Sequence, residues 1–200
     1  MKTIHVLILL AVQIISFSTK AQQTESFTDL RDNIIYKTVK IGTQTWMTEN
    51  LNFSTSSGSW CYENNTSNCA KYGRLYDWET AKKVCPSGWH LPSDAEWTKL
   101  TTYLGGEDAP GTKMKSTSGW NDNEGKSGNG NNTSGFAGLP GGYRNYYGPF
   151  DGVGSGGLWW SSTEYDTFDA WGRYLGCSSG RVYRNDYSKL WGLSVRCLRD

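Results

Sequence analysis

The chain has 200 residues, with 20 Lys and Arg against 19 Asp and Glu and a formal net charge of +1. That balance, with no run of basic residues, argues against a nucleic-acid or acidic-membrane partner, both of which want clustered positive charge. The length fits one domain with a real core, and ten Trp, twelve Tyr and 24 Gly predict aromatic packing and long, turn-rich loops.

Residues 1–21 read as a secretory signal peptide. Lys2 gives a positive start, Ile4 to Phe17 is mostly apolar, and Thr19-Lys20-Ala21 offers small residues around a cleavage point. The apolar run is shorter than the roughly 20 residues of a membrane span. No second run follows, so no transmembrane segment is expected, and the absence of a Cys at the cleavage point argues against a lipid anchor. The expected location is secreted or bacterial cell-surface, a setting that permits disulfides.

Residues 22–28 are expected to be a flexible tail and residues 29–200 a single domain. Asn33 to Ile41 is β-branched and partly alternating, and Gly42-Thr43-Gln44 turns it into Thr45-Trp46-Met47-Thr48, which predicts a β-hairpin. Asn52 to Ala70, rich in Ser, Asn and Gly, reads as a loop in which Cys61 and Cys69 are spaced for a local staple. Leu75, Trp78, Ala81 and Cys85 recur at helical spacing, so a first helix is expected over 75–85, ended by Pro86. Trp89 and Leu91 point to one side of a short extended piece. Ser93-Asp94-Ala95-Glu96 is a capping box opening a second helix, with Trp97, Leu100 and Leu104 as its buried stripe and Gly105-Gly106 as its stop.

From 106 to 157 no period survives more than four or five residues, and a loop region of that length carries function or hides small elements. Strands are expected at Leu158 to Thr163, Ala170 to Leu175, Gly180 to Tyr183 and Gly192 to Leu198. In the last, Leu193, Val195 and Cys197 alternate with Ser194 and Arg196, the pattern of a half-buried antiparallel strand.

Six pieces stand in order along the chain: Tyr36 to Leu51, Tyr72 to Trp78, Cys85 to Trp97, Ser134 to Arg144, Trp159 to Thr163 and Ser194 to Cys197. Together they resemble the Fibrobacter succinogenes major paralogous domain family of secreted bacterial proteins. The resemblance implies an α+β, C-type-lectin-like fold: two helices, a small mostly antiparallel sheet in which the termini pair, and a long-loop region. It implies no defined biochemical activity. Gly172 to Cys197 is also similar to formylglycine-generating enzymes, distant relatives of the same superfamily, but their copper chemistry needs two nearby cysteines. Cys177 matches one, and Val182 stands five residues further on, so that activity is excluded.

Five cysteines allow fifteen arrangements of two bridges and one free thiol. The pairs expected are Cys61–Cys69 and Cys85–Cys197, which leaves Cys177 as a small, partly apolar side chain on or beside a strand.

His90 is the sole His outside the signal segment, so no multi-histidine metal site is expected, and it reads as structural. Trp120-Asn121-Asp122 is similar to the calcium motif of C-type lectins but lies too early in the chain. Asn121, Asp122 and Glu124 still offer oxygens to Ca²⁺, against a reading as solvated turn residues; no other cofactor is expected. Gly152 to Gly157 matches GxGxxG formally, without the strand-then-helix context of a nucleotide site. Trp46, Trp78, Trp89, Trp97 and Trp159 read as core. Tyr143, Arg144, Tyr146, Tyr147 and Asp151, with Phe150, are the ligand-binding candidates.

Three readings of function stand. The first is a secreted, non-enzymatic binding or surface-display module whose partner is a carbohydrate or a cell-surface protein. The second is a glycosidase-like enzyme, pairing Asp151 with Glu164 or Asp166 at 5–9 Å. The third is a structural surface-layer domain.

Overall fold

The computed structural model describes residues 24–106 and 108–200; the expected signal peptide lies outside them. The first sheet starts as a meander. Strand β1 (Thr24–Asp29) pairs antiparallel with β2 (Ile34–Ile41), which pairs with β3 (Gln44–Met47) in a register that sets Val39 against Trp46. Strands β13 (Leu198–Arg199) and β6 (Trp89–His90) complete the order β1-β2-β3-β13-β6. Leu198 faces Trp46 on one side and His90 on the other, so early and late segments share a sheet. Residues 24–28, expected to be a flexible tail, belong instead to β1. The reason is Phe27, whose ring lies 4.9 Å from Trp89 and 5.9 Å from Tyr36, a contact that anchors the strand.

The second sheet contains β4 (Ser59–Trp60), β5 (Leu75–Tyr76), β9 (Gly156–Glu164), β10 (Asp169–Gly176), β11 (Tyr183–Ser188) and β12 (Leu193–Ser194), in the order β11-β10-β9-β12-β5-β4. The hairpin of β7 (Gly141–Arg144) and β8 (Phe150–Val153) joins it through Gly142, parallel to Gly157. The β12–β9 pairing is also parallel and the remaining ladders are antiparallel.

Among the described residues there are four α-helices rather than two. Helix α1 (Thr66–Tyr72) occupies part of the expected loop, capped by Asn65, whose side chain accepts from Ser67 N; seven residues are too few to show a period. Helix α2 (Trp78–Val84) starts three residues later than expected, because Leu75 and Tyr76 are used in β5 and Asp77 caps the helix by accepting from Thr80 N at 2.8 Å. Helix α3 (Asp94–Tyr103) opens with the expected capping box. Helix α4 (Pro110–Met114) lies in the long-loop region.

Two strands also differ from expectation. β11 covers 183–188 rather than 180–183. The closing strand breaks into β12 and β13 because 195–197 crosses between sheets: Val195 O accepts from Leu51 N at 2.9 Å and Cys197 O from Met47 N at 3.1 Å. The fold is α+β, and no helix among the described residues is long and apolar enough to cross a membrane.

Alternation along β9 divides the core. Trp160 joins Tyr76, Trp78, Leu158 and Val195 on one side, and Trp159 joins Trp46, Trp97, Leu100 and Phe136 on the other. All five tryptophans expected in the core are buried. Both expected disulfides form, Cys61–Cys69 and Cys85–Cys197, and Cys177 is free and half-buried.

Candidate functional site

The Trp160 side of the second sheet carries a run of half-buried aromatic rings. Three glycines make it possible. A Cβ at Gly172 would sit 2.9 Å from the Tyr187 ring. One at Gly156 would sit 2.9 Å from the Tyr174 ring, and one at Gly176 would sit 2.8 Å from the Tyr174 hydroxyl. With only hydrogen at these positions, both rings lie against the strand backbone. Tyr183 approaches Tyr174 at 5.7 Å, Trp191 approaches Tyr187 at 5.7 Å, and Tyr143 stacks on Trp191 at 4.8 Å with 10° between planes. Tyr143, Tyr174, Tyr187 and Trp191 all pack on the cluster around Trp160, so the row is braced from beneath.

Polar groups fringe these rings. The Tyr143 hydroxyl donates to Asp151 Oδ2 at 3.3 Å, Asp151 Oδ1 accepts from Gly152 N at 2.6 Å, and Asn185 Nδ2 donates to the Tyr187 hydroxyl at 3.2 Å. Burial, followed by the Asp151 charge, raises the Tyr143 phenol above its ordinary value. Burial raises Tyr174 and pushes Tyr187 up to about 12. These phenols stay protonated at neutral pH, so each presents a hydroxyl beside an apolar ring.

Of the ligand-binding candidates, Tyr143 and Asp151 meet on one side of the β7–β8 hairpin, as cross-strand partners. Arg144 and Phe150 are the next pair and point to the other side, where Arg144 lies over Trp60 at 4.3 Å and Phe150 approaches Tyr62 at 5.4 Å. Tyr146 and Tyr147 form the tip, 47% and 78% exposed, their rings 3.8 Å apart. The five candidates therefore share a hairpin but not a single surface. Tyr174, Tyr187 and Trp191 are absent from the sequence candidates; the alternation of Gly172, Tyr174 and Gly176 is the signal that marks such a face.

Asn121, Asp122 and Glu124 lie elsewhere on the surface. Asn121 is tied to the β8–β9 turn by its N–H to Gly154 O at 2.8 Å and by its Nδ2 to Ser155 Oγ at 3.1 Å. Glu124 and Gly125, at φ 50° and 74°, are the central residues of a tight turn whose ends, Asn123 and Lys126, exchange backbone hydrogen bonds. Among the described residues no group of three His, Cys, Asp or Glu side chains is placed to hold a metal.

The carboxylates of the enzyme reading are separated by the sheet. Asp151 faces Tyr143, level with the start of β9, and Glu164 is the last residue of β9. A bulge in β9 lets β10 span the stretch from Leu158 to Glu164 in four residues, a rise on the order of 13 Å, to which the sideways step from β8 to β9 adds, so the pair lies beyond the roughly 5–9 Å reach. Glu164 is paired with Lys189 at 3.2 Å, and Asp166 Oδ1 accepts from Phe168 N and Asp169 N. His90 is held between two carboxylates on another face, with Nε2 3.0 Å from Glu96 Oε1 and Nδ1 2.6 Å from Asp200 Oδ1.

No curated protein and no solved structure matches the chain. The family described as the Fibrobacter succinogenes major domain matches residues 39–199, which include the second sheet, the first sheet from the end of β2 onward, both disulfides and every residue of the aromatic row. The chain belongs to the Fibrobacter succinogenes major domain family.

Proposed function

We propose that this domain is an extracellular, non-enzymatic binding module that takes carbohydrate on the aromatic row from Tyr143 to Tyr174. The observation that carries the reading is the stack of Tyr143 on Trp191, continued by Tyr187 and Tyr174 on glycine-lined strands. Sugar rings offer apolar C–H faces edged by hydroxyls, and half-buried aromatic rings fringed by phenols, an amide and a carboxylate match that chemistry. The two disulfides and the expected signal peptide support an extracellular location. A C-type-lectin-like ancestry is supported by the bridge from Cys85, just after α2, to Cys197, beside the last strand, although fold alone assigns no ligand.

Titration of the oxidised protein with soluble neutral oligosaccharides, read by tryptophan fluorescence with and without millimolar Ca²⁺, tests the reading. Saturable binding is expected, weakened about tenfold or more by Trp191→Ala and by Tyr143→Ala. Tyr103→Ala, on the exposed part of α3, should leave it unchanged. Binding indifferent to both aromatic-row substitutions, or none across the panel, would overturn it.

A further inference from the structure

A second cleft, of about 280 Å³, lies apart from the aromatic row between the β1–β2 turn, the segment after Leu51, and α2. Arg31, Phe53, Ser57, Thr80, Lys83 and Val84 are among the residues that line it. Arg31 is held unusually firmly for a surface arginine. The Asp29 carboxylate, 1% exposed, accepts from Arg31 N at 3.1 Å, from Nε at 2.9 Å and from Nη2 at 2.6 Å. The guanidinium carbon lies 3.9 Å over the centre of the Phe53 ring. Ring and carboxylate together fix the plane of the fork, and Nη1 is left without a partner among the described residues. On α2, Lys82 is paired with Glu79 at 3.0 Å, whereas neighbouring Lys83 is exposed and has no ion pair among the described residues.

We propose that this cleft binds a uronate unit of an acidic polysaccharide, with its carboxylate between Arg31 Nη1 and Lys83 Nζ. A fixed guanidinium fork loses little freedom on meeting a planar carboxylate, and charge-assisted hydrogen bonds are the stronger kind. Asp29 neutralises Arg31 and Lys82 neutralises Glu79 within the fold, so the net positive charge facing the cleft comes from Lys83. The other walls favour a sugar over a bare anion. Ser57 and Thr80 bring hydroxyls, Glu79 brings acceptors for sugar hydroxyls, and Phe53 and Val84 add apolar lining. The volume falls below the ~300 Å³ at which drug-sized sites begin, which suits one ring rather than several.

Calorimetric titration of the full oxidised protein tests this with three probes: oligogalacturonate, its methyl-esterified neutral counterpart, and polyglutamate of similar charge. Oligogalacturonate should bind saturably and lose affinity with added salt, while the other two bind about tenfold more weakly or not at all. Lys83→Met, on an exposed helix face, should weaken binding about fivefold or more without changing the melting temperature. Arg31→Lys should weaken it further, and its melting temperature reports any loss from the Asp29 contact. Trp191→Ala should leave uronate binding intact, which separates this site from the aromatic row. Equal binding of the neutral ester or of polyglutamate, binding unaffected by Lys83→Met, or no binding of oligogalacturonate would overturn the proposal.

Discussion

Arg196 and Asn50 form a buried polar pair at the junction of the two sheets. Arg196 is 0% exposed, and its Nε and Nη2 donate to Asn50 Oδ1 at 3.1 and 2.7 Å. Trp159 Nε1 donates to the same oxygen at 2.8 Å, while Asn50 Nδ2 donates to Tyr72 O at 2.8 Å. Arg196 Nη1 reaches Met47 O and Phe136 O. Burial pushes the guanidinium down to about 9, which leaves it charged at neutral pH. One amide oxygen and one cation thus tie together the segment after β3, the long-loop region, β9 and the crossing between sheets.

Asn50→Ala removes the acceptor that Arg196 and Trp159 share. A buried donor left unpaired costs about 1–3 kcal/mol, and a charged one more, so Asn50→Ala should lose about 3 kcal/mol or more in urea unfolding. Asn52→Ala, two residues on in a half-buried position, should lose far less. Near-equal losses would refute a special role for the Arg196–Asn50 pair.

The bridges should differ in weight. Cys85–Cys197 closes a separation of 112 residues and Cys61–Cys69 one of 8. Chain entropy assigns about 4–5 kcal/mol to the first and about 2–3 kcal/mol to the second. Paired Cys→Ala variants compared by denaturant unfolding should rank in that order.

His90 gives a pH dependence of known sign. Burial pulls the imidazole down, but hydrogen bonds to Asp200 and Glu96 and their attraction outweigh it, so its pKa lies above the ordinary 6.5. A raised folded-state value means stability that is fully present below about pH 6.5 and lost as pH rises through the folded pKa. For Glu96, burial works upward, but hydrogen bonds from Ser93 and His90 and the His90 charge bring it below its ordinary value. Its contribution is fully present above about pH 4.3 and lost as pH falls through the lowered value. Stability from the pair should therefore peak between about pH 4.3 and 6.5. The side chains are 38% and 33% exposed, so solvent screening keeps the effect modest. His90→Gln should flatten the melting-temperature profile above pH 6, and an NMR titration of His90 should give a midpoint above 6.5; a midpoint at or below that value would rule the effect out.

What was legible in the sequence followed chemical specificity at short range. The capping box at Ser93 and Glu96, the β2–β3 hairpin and the aromatic core are local signals, and the structure has each of them. Helix α1 escaped because seven residues show no period, and β5 hid inside a helical pattern because Leu75 fits either reading. The aromatic row could not be assembled from one segment. Tyr143, Tyr174 and Trp191 come from separate strands and a turn, and only the sheet order brings them together. Arg196 illustrates the same limit: alternation places it on the solvent side of a strand, and only the crossing between sheets turns it inward.

Gly172→Ala tests whether the ring row depends on the backbone beneath it. Its φ lies outside the left-handed region, so an added methyl brings no backbone strain of that kind. The clash is with Tyr187 Cδ2 at 2.9 Å and Trp159 O at 3.0 Å. The carbonyl belongs to the β9–β10 ladder and cannot yield, so the Tyr187 ring must move. Overpacking of this kind costs about 1–3 kcal/mol, and the displaced ring changes what Trp191 touches. Gly172→Ala should therefore lower the melting temperature, shift tryptophan emission, and weaken any oligosaccharide bound on the row. Tyr187→Phe keeps the ring and removes only the hydroxyl that accepts from Asn185, so it should leave emission almost unchanged. If Gly172→Ala instead left emission and affinity as in the parent protein, the row would not be set by the glycine-lined strands, and the argument for it as a binding surface would fail with it.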